Sequence, residues 1–147
     1  MKIKVVNKSR NPLPDYQSKG ASGIDLCADL DKAMCIKPME ITLIPTGIYV
    51  EIPEGYEGQV RMRSGLALKK GLSLPNGIGT IDWDYRGELK VIVINLGGED
   101  IIIENGDRIA QLVIMKVERA ELIEVESLDE LSDTERSEGG FGSTGSK

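Results

Sequence analysis

Histidine is absent from the 147-residue chain, and this absence excludes several kinds of catalysis. Without an imidazole there is no Ser-His-Asp or Cys-His pair and no histidine-ligated metal. A general base in this chain would therefore be a carboxylate, or less readily a lysine or a tyrosine. The two cysteines, Cys27 and Cys35, are too few for a zinc site on their own. We expect both to be small, reduced and buried.

Aromatic residues are also scarce, since the chain has one tryptophan and one phenylalanine. The core is therefore expected to be aliphatic, and the abundant Ile, Val and Leu favour strands. The single phenylalanine, Phe141, lies in the C-terminal stretch GGFGSTG, whose composition is typical of a disordered tail. A ring outside any core has a second use, because a nucleic base can stack on its face.

Long hydrophobic runs and a basic charge balance are missing as well. No stretch approaches the roughly 20 apolar residues of a membrane span, and the N-terminal MKIKVVNKSR lacks the apolar centre of a signal peptide. The formal net charge of −6 argues against a nucleic-acid-binding surface. It does not argue against a nucleotide, which needs only a few local cations. We expect a cytoplasmic protein that binds neither nucleic acid nor membrane.

Short apolar runs separated by Gly, Pro, Asn or Asp recur along the chain, for example GQVRMR, ELKVIVINL and RIAQLVIMKV. This pattern predicts an all-β sandwich or barrel. One short helix is predicted in SGLALKKG, with Ser64 as N-cap and Gly71 as its stop. Ser127 and Glu130 have capping-box spacing and predict a turn or a frayed helix. We divide the chain into a barrel domain, residues 1–135, and a C-terminal tail, residues 136–147.

Two segments suit a phosphate ester, although each has a plainer interpretation. In RMRSGLA, an arginine precedes a helix N-terminus whose free N–H groups and positive dipole end favour an anion; otherwise a strand simply enters a helix. In NGIGTIDWDYRGE, Asp82 and Asp84 flank Trp83, so both could face one side of a strand and one could be a general base. The alternative is a hairpin with a solvated acidic tip.

Three further segments are weak when taken singly. ASGIDLCA is an apolar strand with one aspartate, and NGDRIAQL is a turn before a strand. The tail GFGSTGSK approaches a phosphate-binding loop, but its Ser and Lys are in the wrong order and no helix follows. Its backbone N–H groups could still wrap phosphates, and Arg136 adds a positive fork.

Taken in order, these five segments closely resemble the five motifs of the trimeric dUTP pyrophosphatases (dUTPases), over about residues 21–145. The resemblance implies a homotrimer of jelly-roll-like β-barrels, each with one short helix and a flexible Gly-rich C-terminal tail. It implies Mg²⁺-dependent hydrolysis of dUTP to dUMP and pyrophosphate, which removes dUTP from the nucleotide pool and supplies dUMP for thymidylate synthesis. Each active site would draw on all three chains.

The resemblance also implies roles for single residues. Asp82 matches the carboxylate that activates the attacking water, and Tyr85 matches the ring that packs against the deoxyribose and excludes a ribose hydroxyl. Asp25 and Gln111 match residues that face the phosphates and the water molecules of Mg²⁺, so no side chain need bind the metal directly. Asp107 and Arg108 are expected to support a turn and the trimer.

The remaining matches bind the substrate. The triphosphate cradle comprises Arg63, Ser64 and Gly65. The uracil-reading hairpin comprises Asn76 and the backbone of Thr80, Ile81 and Lys90. The tail supplies Arg136 to the γ-phosphate, Phe141 as a lid over uracil, and the backbone of Gly142 and Ser143 around the phosphates.

Two departures from the family pattern and two alternatives stay open at this stage. Ser137 stands where the family usually has glycine, which costs stability if the position needs a positive φ. Trp83 replaces a smaller side chain; on strand alternation it points away from Asp82, toward a trimer contact or the surface. One alternative is a dCTP deaminase of the same superfamily, for which Glu88 is the nearby glutamate. The other is a non-catalytic nucleotide-binding protein on the same barrel.

Overall fold

The computed structural model describes residues 1–140 of the chain, and this part is built mainly of β-strands. Its helical elements are α1 (Ser64–Lys70) and one turn of 3₁₀ helix (Leu128–Glu130). The strands in chain order are β1 (Lys4–Asn7), β2 (Ile24–Cys27), β3 (Met34–Ile36), β4 (Ile41–Glu51), β5 (Tyr56–Met62), β6 (Leu72–Ser73), β7 (Gly79–Ile81), β8 (Leu89–Asn95), β9 (Ile101–Ile103) and β10 (Arg108–Lys116).

The strand pairs are antiparallel and form two four-stranded sheets and one separate pair. The first sheet has the order β1-β4-β8-β6, the second has the order β2-β10-β5-β7, and β3 pairs with β9. Most neighbouring strands are distant along the chain, as is typical of a jelly roll. The predicted all-β, jelly-roll-like fold with one short helix is confirmed.

One cluster of buried aliphatic side chains joins the two sheets. Strand β8 shows how the sequence builds it, because Leu89, Val91 and Val93 are buried and alternate with the exposed Lys90 and Ile92. Successive side chains of a strand point to opposite faces, so this alternation turns one apolar face inward. Burying each Val or Leu side chain contributes about 1.5–3 kcal/mol relative to leaving it exposed.

Helix α1 connects β5 to β6 and corrects one prediction. Ser64 is the first helical residue; the N-cap is Arg63, which has an extended backbone (φ −76°, ψ 126°) and makes no side-chain capping bond. The predicted stop is confirmed, since Gly71 has φ 71° and its N–H bonds to the carbonyl of Ala67. A Cβ at Gly71 would lie 2.6 Å from the backbone nitrogen of Gly97, so this position requires glycine.

The two cysteines are free thiols, but the prediction that both are buried is wrong. Cys27 is half-buried and Cys35 is exposed. In the short strand β3, alternation turns Ile36 inward and therefore Cys35 outward.

After β10 the chain leaves the barrel surface, and residues 118–138 are all exposed. The capping box predicted for Ser127 and Glu130 is present in the 3₁₀ helix. Leu122 and Ile123 are 93% and 81% exposed, so the segment carries apolar side chains that its own barrel does not cover. Within residues 1–140, no helix has the length and apolar character needed to cross a membrane.

Candidate active site

A buried carboxylate organises the first group of predicted site residues. Asp25, on β2, is only 3% exposed. Its Oδ1 accepts a hydrogen bond from Gln111 Nε2 at 3.1 Å, and its Oδ2 accepts one from Arg108 Nη1 at 3.2 Å. Arg63 Nε lies 3.5 Å from Oδ1. A buried charge is stable only when it is paired, and here two guanidinium groups pair with it.

Sheet register brings this group together. Gln111 on β10 lies opposite Asp25 on β2 and opposite Arg61 on β5. Arg63 follows the end of β5, and its Nη1 donates to the carbonyl of Arg108 at 3.1 Å. The structure therefore places the predicted residues Asp25, Arg63 and Gln111 in one cluster on a single protomer.

A cationic cavity of about 270 Å³ adjoins this cluster. Arg63, Lys70 and Arg108 contribute positive groups to its lining, and Asp107 contributes a carboxylate. The N–H groups of Ser64 and Gly65, the first two helical residues, have no acceptors inside the helix. Fixed guanidinium forks together with free N–H groups suit a ligand with several negative charges.

Two residues that line this cavity were not predicted from the sequence to bind a ligand. Arg108 contacts Asp25 directly and also donates to Gln17 Oε1 at 3.1 Å, so it does more than support a turn. Lys70 lines the cavity although the sequence marks it only as a basic residue in the last helical turn. The turn itself is supported as expected by Asp107, whose Oδ2 accepts the N–H of Glu104 at 2.8 Å.

A second group of predicted residues surrounds a smaller cavity of about 140 Å³ at the edge strand β7. This cavity is lined by Val60, Leu74, Asn76, Gly79, Thr80, Ile81, Lys90 and Ile92. The lining includes all four residues that the resemblance assigns to uracil recognition. Because β7 pairs on one side only, with β5, alternate residues direct both the N–H and the C=O away from the sheet. Such fixed groups can read the edge of a base.

Tyr85 follows this hairpin, and two features fix its side chain. Its Oη donates a hydrogen bond to the carbonyl of Glu88 at 3.1 Å. A Cβ at Gly87 would collide with the tyrosine hydroxyl and ring, so the absence of a side chain there leaves room for the ring. Tyr85 remains 44% exposed, which leaves part of its surface open to a ligand.

The structure corrects the prediction that Asp82 and Asp84 could share one face of a strand. Strand β7 ends at Ile81, and Asp82 starts a turn in which its carbonyl accepts the N–H of Tyr85 at 3.1 Å. Asp82, Trp83 and Asp84 line one cavity of about 450 Å³. Strand alternation, which predicts opposite directions for Trp83 and Asp82, therefore does not apply in this turn.

Asp82 and the Asp25 cluster lie far apart within one protomer. Gln111, which pairs with Asp25 on β2, also pairs with Arg61 on β5. Ile81, which precedes Asp82, pairs with Gly58 on β5. Three residues along β5 and three strand spacings across the sheet therefore separate Ile81 from Asp25, which amounts to roughly 15–20 Å. A general base must be within hydrogen-bond reach of its water, so Asp82 cannot act at a phosphate group that is bound beside Asp25 of the same protomer.

Glu88 is held by the barrel itself. Its Oε1 accepts hydrogen bonds from the backbone N–H groups of Thr46, at 3.2 Å, and Gly47, at 2.9 Å. Lys90 Nζ lies 3.6 Å from Oε2. A carboxylate engaged in this way has a structural role, and nothing in its contacts favours the deaminase alternative.

The start of the predicted tail folds back on itself. Arg136 Nε donates to the carbonyl of Gly139 at 2.7 Å. Ser137 has φ 42°, so the condition under which serine is costly at this position is met. Phe141, Gly142 and Ser143 lie outside the described residues.

The described residues also bear on catalysis by a cysteine nucleophile and on direct metal binding by side chains. Burial raises the pKa of the Cys27 thiol, and the neighbouring Asp25 raises it further. A thiol with a raised pKa is a poor nucleophile at neutral pH. Within residues 1–140, no three His, Cys, Asp or Glu side chains are grouped closely enough to hold a metal ion.

Comparisons with known proteins identify the family of the chain. The sequence model of the family described as dUTPase matches residues 9–145. The chain is 56% identical over 145 residues to the deoxyuridine 5'-triphosphate nucleotidohydrolase of Finegoldia magna, with 99% of each chain covered.

Two solved structures extend the comparison. A variant of Staphylococcus bacteriophage 80alpha dUTPase with dUpNHpp aligns with a TM-score of 0.85 and 31% identity, covering 98% of both chains. A dUTPase variant from phage phi11 of S. aureus, whose structure concerns the coordination of a structural Mg(II) ion, aligns with a TM-score of 0.78 and 26% identity. That alignment covers 88% of this chain and 99% of the phage chain. With a family match across residues 9–145 and 56% identity to a relative along nearly its whole length, this chain belongs to the dUTPase family.

Proposed function

We propose that this protein hydrolyses dUTP to dUMP and pyrophosphate, which removes dUTP from the nucleotide pool and supplies dUMP for thymidylate synthesis. The observation that carries the proposal is the combination of a cationic cradle around Asp25 with a small cavity at the edge strand β7. The first suits a triphosphate and the second suits one compact base. The name of the F. magna relative and the dUTP analogue dUpNHpp in the phage 80alpha structure support the same substrate.

The cradle positions the triphosphate. Arg63 and Arg108 are held by Asp25, so their guanidinium groups are ordered before the substrate arrives. The N–H groups of Ser64 and Gly65 add donors at the helix start. Preordered donors lose little freedom on binding and stabilise the charge that builds on the leaving pyrophosphate.

The hairpin selects the base and the sugar. Asn76 and the backbone of Thr80, Ile81 and Lys90 present fixed donors and acceptors to uracil. Cytosine would leave some of these groups unpaired, which is costly in a closed pocket. The Tyr85 ring covers the deoxyribose and leaves no space for a ribose hydroxyl.

Asp82 acts as the general base. Its carboxylate takes a proton from a water molecule as the water oxygen attacks the α-phosphorus in line. The bond from the α-phosphorus to the bridging oxygen breaks, and pyrophosphate leaves with the bonding electron pair. A positioned carboxylate contributes typically 10²–10⁴-fold to such a step.

A magnesium ion fits this site as a companion of the triphosphate. A carboxylate offers about four acceptor positions, and the contacts of Asp25 with Arg63, Arg108 and Gln111 use three of them. One position, on Oδ2 beside Arg108, is left to accept a metal-bound water. When bound, Mg²⁺ would neutralise charge on the phosphate oxygens.

The working unit is a homotrimer with shared sites. The separation of Asp82 from the Asp25 cluster supports a site in which a hairpin from a second chain completes each cradle. Two uncovered apolar surfaces support assembly. On the outer face of the first sheet, Ile41 pairs with Ile94 and Leu43 with Ile92. The exposed side chains of Leu122, Ile123, Leu128 and Leu131, in the segment after β10, form the other.

The barrel spans residues 1–135, and residues 136–147 close over a neighbouring site in this proposal. Arg136 reaches the γ-phosphate once its bond to Gly139 opens, Phe141 covers the uracil, and Gly142 and Ser143 wrap the phosphates. The setting is the cytoplasm, where a nucleotide pool is available and where free thiols such as Cys27 are usual.

A substrate panel tests the proposal. The full chain is incubated with Mg²⁺ and, separately, dUTP, dCTP, dTTP or UTP, and the products are resolved by ion-exchange chromatography. We expect pyrophosphate release from dUTP to exceed that from the others by at least about 10²-fold. Deamination of dCTP would instead establish the deaminase, and binding without turnover would establish a non-catalytic protein.

A matched pair of variants on one turn sharpens the test. Asp82→Asn should bind dUTP but lose at least about 10²-fold in kcat. Asp84→Asn removes a carboxylate from the same exposed turn and should keep near-normal activity. Near-normal turnover in Asp82→Asn would remove Asp82 from the mechanism.

A further inference from the structure

Glu88 connects the hairpin that carries Tyr85 to a rigid part of the barrel. Its side chain contacts β4, its main chain contacts Tyr85, and the residue itself immediately precedes β8. We infer that Glu88 is a positioning residue for sugar selection: it holds the Tyr85 hydroxyl in place and thereby sets the preference for deoxyribose over ribose. This inference rests on the proposed function.

The side chain of Glu88 is anchored to an irregular stretch of β4. The register of β4 against β8 shifts between Pro45 and Ile48, which leaves the N–H groups of Thr46 and Gly47 outside the regular ladder. Both donate to Glu88 Oε1, at 3.2 and 2.9 Å. Hydrogen bonds from N–H groups to a carboxylate are stronger than neutral ones, and this side chain is only 18% exposed.

The anchor point is itself fixed. Gly47 has φ 66°, and a Cβ there would lie 2.7 Å from the backbone nitrogen of Ser9. Its carbonyl accepts the N–H of Lys8 at 2.8 Å. The Thr46 hydroxyl donates to the carbonyl of Leu89, the residue after Glu88. Three separate chain segments therefore meet at the site that holds Glu88.

The main chain of Glu88 connects this fixed site to Tyr85, the residue that is proposed to cover the sugar. Its carbonyl accepts the Tyr85 hydroxyl at 3.1 Å, and Gly87 between them has no side chain that would displace the ring. Without the side-chain anchor, the hairpin between Asp82 and β8 would depend on the turn itself. The ring could then move aside and admit a 2′-hydroxyl.

The contacts specify what the anchor needs. The two N–H donors converge on one oxygen, Oε1, so an amide oxygen can replace it. Lys90 Nζ lies 3.6 Å from Oε2, and Lys90 is substantially exposed, so that ion pair adds little. Glu88→Gln is therefore a conservative variant that keeps the anchor, and Glu88→Ala removes it.

The test is the ratio of kcat/KM for dUTP to kcat/KM for UTP. We expect Glu88→Ala to lower this ratio roughly tenfold, less than the ~10²-fold that a 1 Å misplacement can cost. Glu88→Gln should stay within about twofold of the wild type. If Glu88→Ala does not fold, Glu88→Asp decides the matter, because its shorter side chain keeps the charge but draws the oxygen away from Gly47; its ratio should also fall.

A double-mutant cycle checks the route through Tyr85. Tyr85→Phe removes the hydroxyl that bonds to Glu88. Glu88→Ala should therefore change the dUTP/UTP ratio of kcat/KM much less in the Tyr85→Phe background. Trp83, the only tryptophan in the chain, lies in the turn between Asp82 and Tyr85. Its fluorescence in the substrate-free protein should be quenched more readily by acrylamide in Glu88→Ala than in Glu88→Gln.

The outcomes are distinct. A wild-type protein that does not prefer dUTP refutes the proposed function. A wild-type protein that prefers dUTP, together with a folded Glu88→Ala or Glu88→Asp that keeps the same ratio, refutes the role of Glu88 alone. An effect of equal size in the Tyr85→Phe background refutes the route through the tyrosine hydroxyl and with it the inference.

Discussion

Mixing two inactive variants should restore activity if base and cradle come from different chains. Asp82→Asn lacks the base but has an intact cradle. Arg63→Ala has an intact base but a defective cradle. Each alone should lose at least about 10²-fold in kcat/KM. Arg63→Ala is expected to fold because Asp25 stays paired with Arg108 at 3.2 Å after the change, so its carboxylate is not left as an unpaired buried charge.

The expected recovery follows from the separation within one protomer. Asp82 and Asp25 lie roughly 15–20 Å apart in the sheet, so in the proposed trimer a site takes its cradle from one chain and its base from another. In randomly assembled trimers from an equal mixture, half of the chains have an intact cradle and half have an intact base. Because a closed homotrimer repeats one interface by symmetry, about a quarter of the sites contain both.

The assay is steady-state pyrophosphate release after the two variants are unfolded together, mixed equally and refolded. A different affinity tag on each variant verifies that mixed trimers have formed, and wild type refolded in the same way gives the reference. We expect about a quarter of that reference activity, against a background set by the separately refolded variants. Verified mixed trimers that stay at the background would refute the shared base and cradle, although not the hydrolase assignment.

Three further outcomes are expected. Tyr85→Ala should weaken dUTP turnover and narrow the gap between dUTP and UTP; unchanged discrimination in the substrate panel would mean that the sugar is read elsewhere. An equal mixture of Asp82→Asn and a variant truncated before Arg136, refolded together, should also recover about a quarter of the activity, because the tail is proposed to serve a neighbouring chain. No recovery would mean that the base and the tail of one site come from the same chain. Ser137→Gly should raise the KM for dUTP up to about fivefold, since it removes a left-handed strain of about 1 kcal/mol from the turn in which Arg136 bonds to Gly139 and so favours that turn over the closed tail. Ser137→Val should lower the KM; equal KM values in both variants would show that this turn does not limit closure.

Local rules explain why the sequence predicts most of the fold. Alternation of apolar and polar residues has the period of a strand, and in β8 it identifies Leu89, Val91 and Val93 as buried. Positive φ angles also have a local signature: Gly71 and Gly106 adopt 71° and 86° at the predicted ends and turns. The same locality limits accuracy at boundaries, as at Ser64, where the extended backbone of Arg63 places the N-cap one residue earlier.

Long-range pairing decided what the sequence could not. Asp25 and Arg108 are 83 positions apart, and Glu88 is 42 positions from Thr46. Only sheet register brings each pair into contact, and no short pattern encodes register between distant strands. The contact of Arg108 with Asp25 and the anchored state of Glu88 therefore became visible only in the folded chain.

The sequence by itself determined the family, the strand-rich core and the identity of the chemically suited residues, because these follow from composition and from motifs a few residues long. The tertiary structure decided how those residues are distributed. It ended β7 at Ile81 and so placed Asp82 in a turn, and it put that turn three strands away from Asp25. The physical reason is that a motif fixes local geometry, whereas the distance between two motifs is set by the order of strands in a sheet.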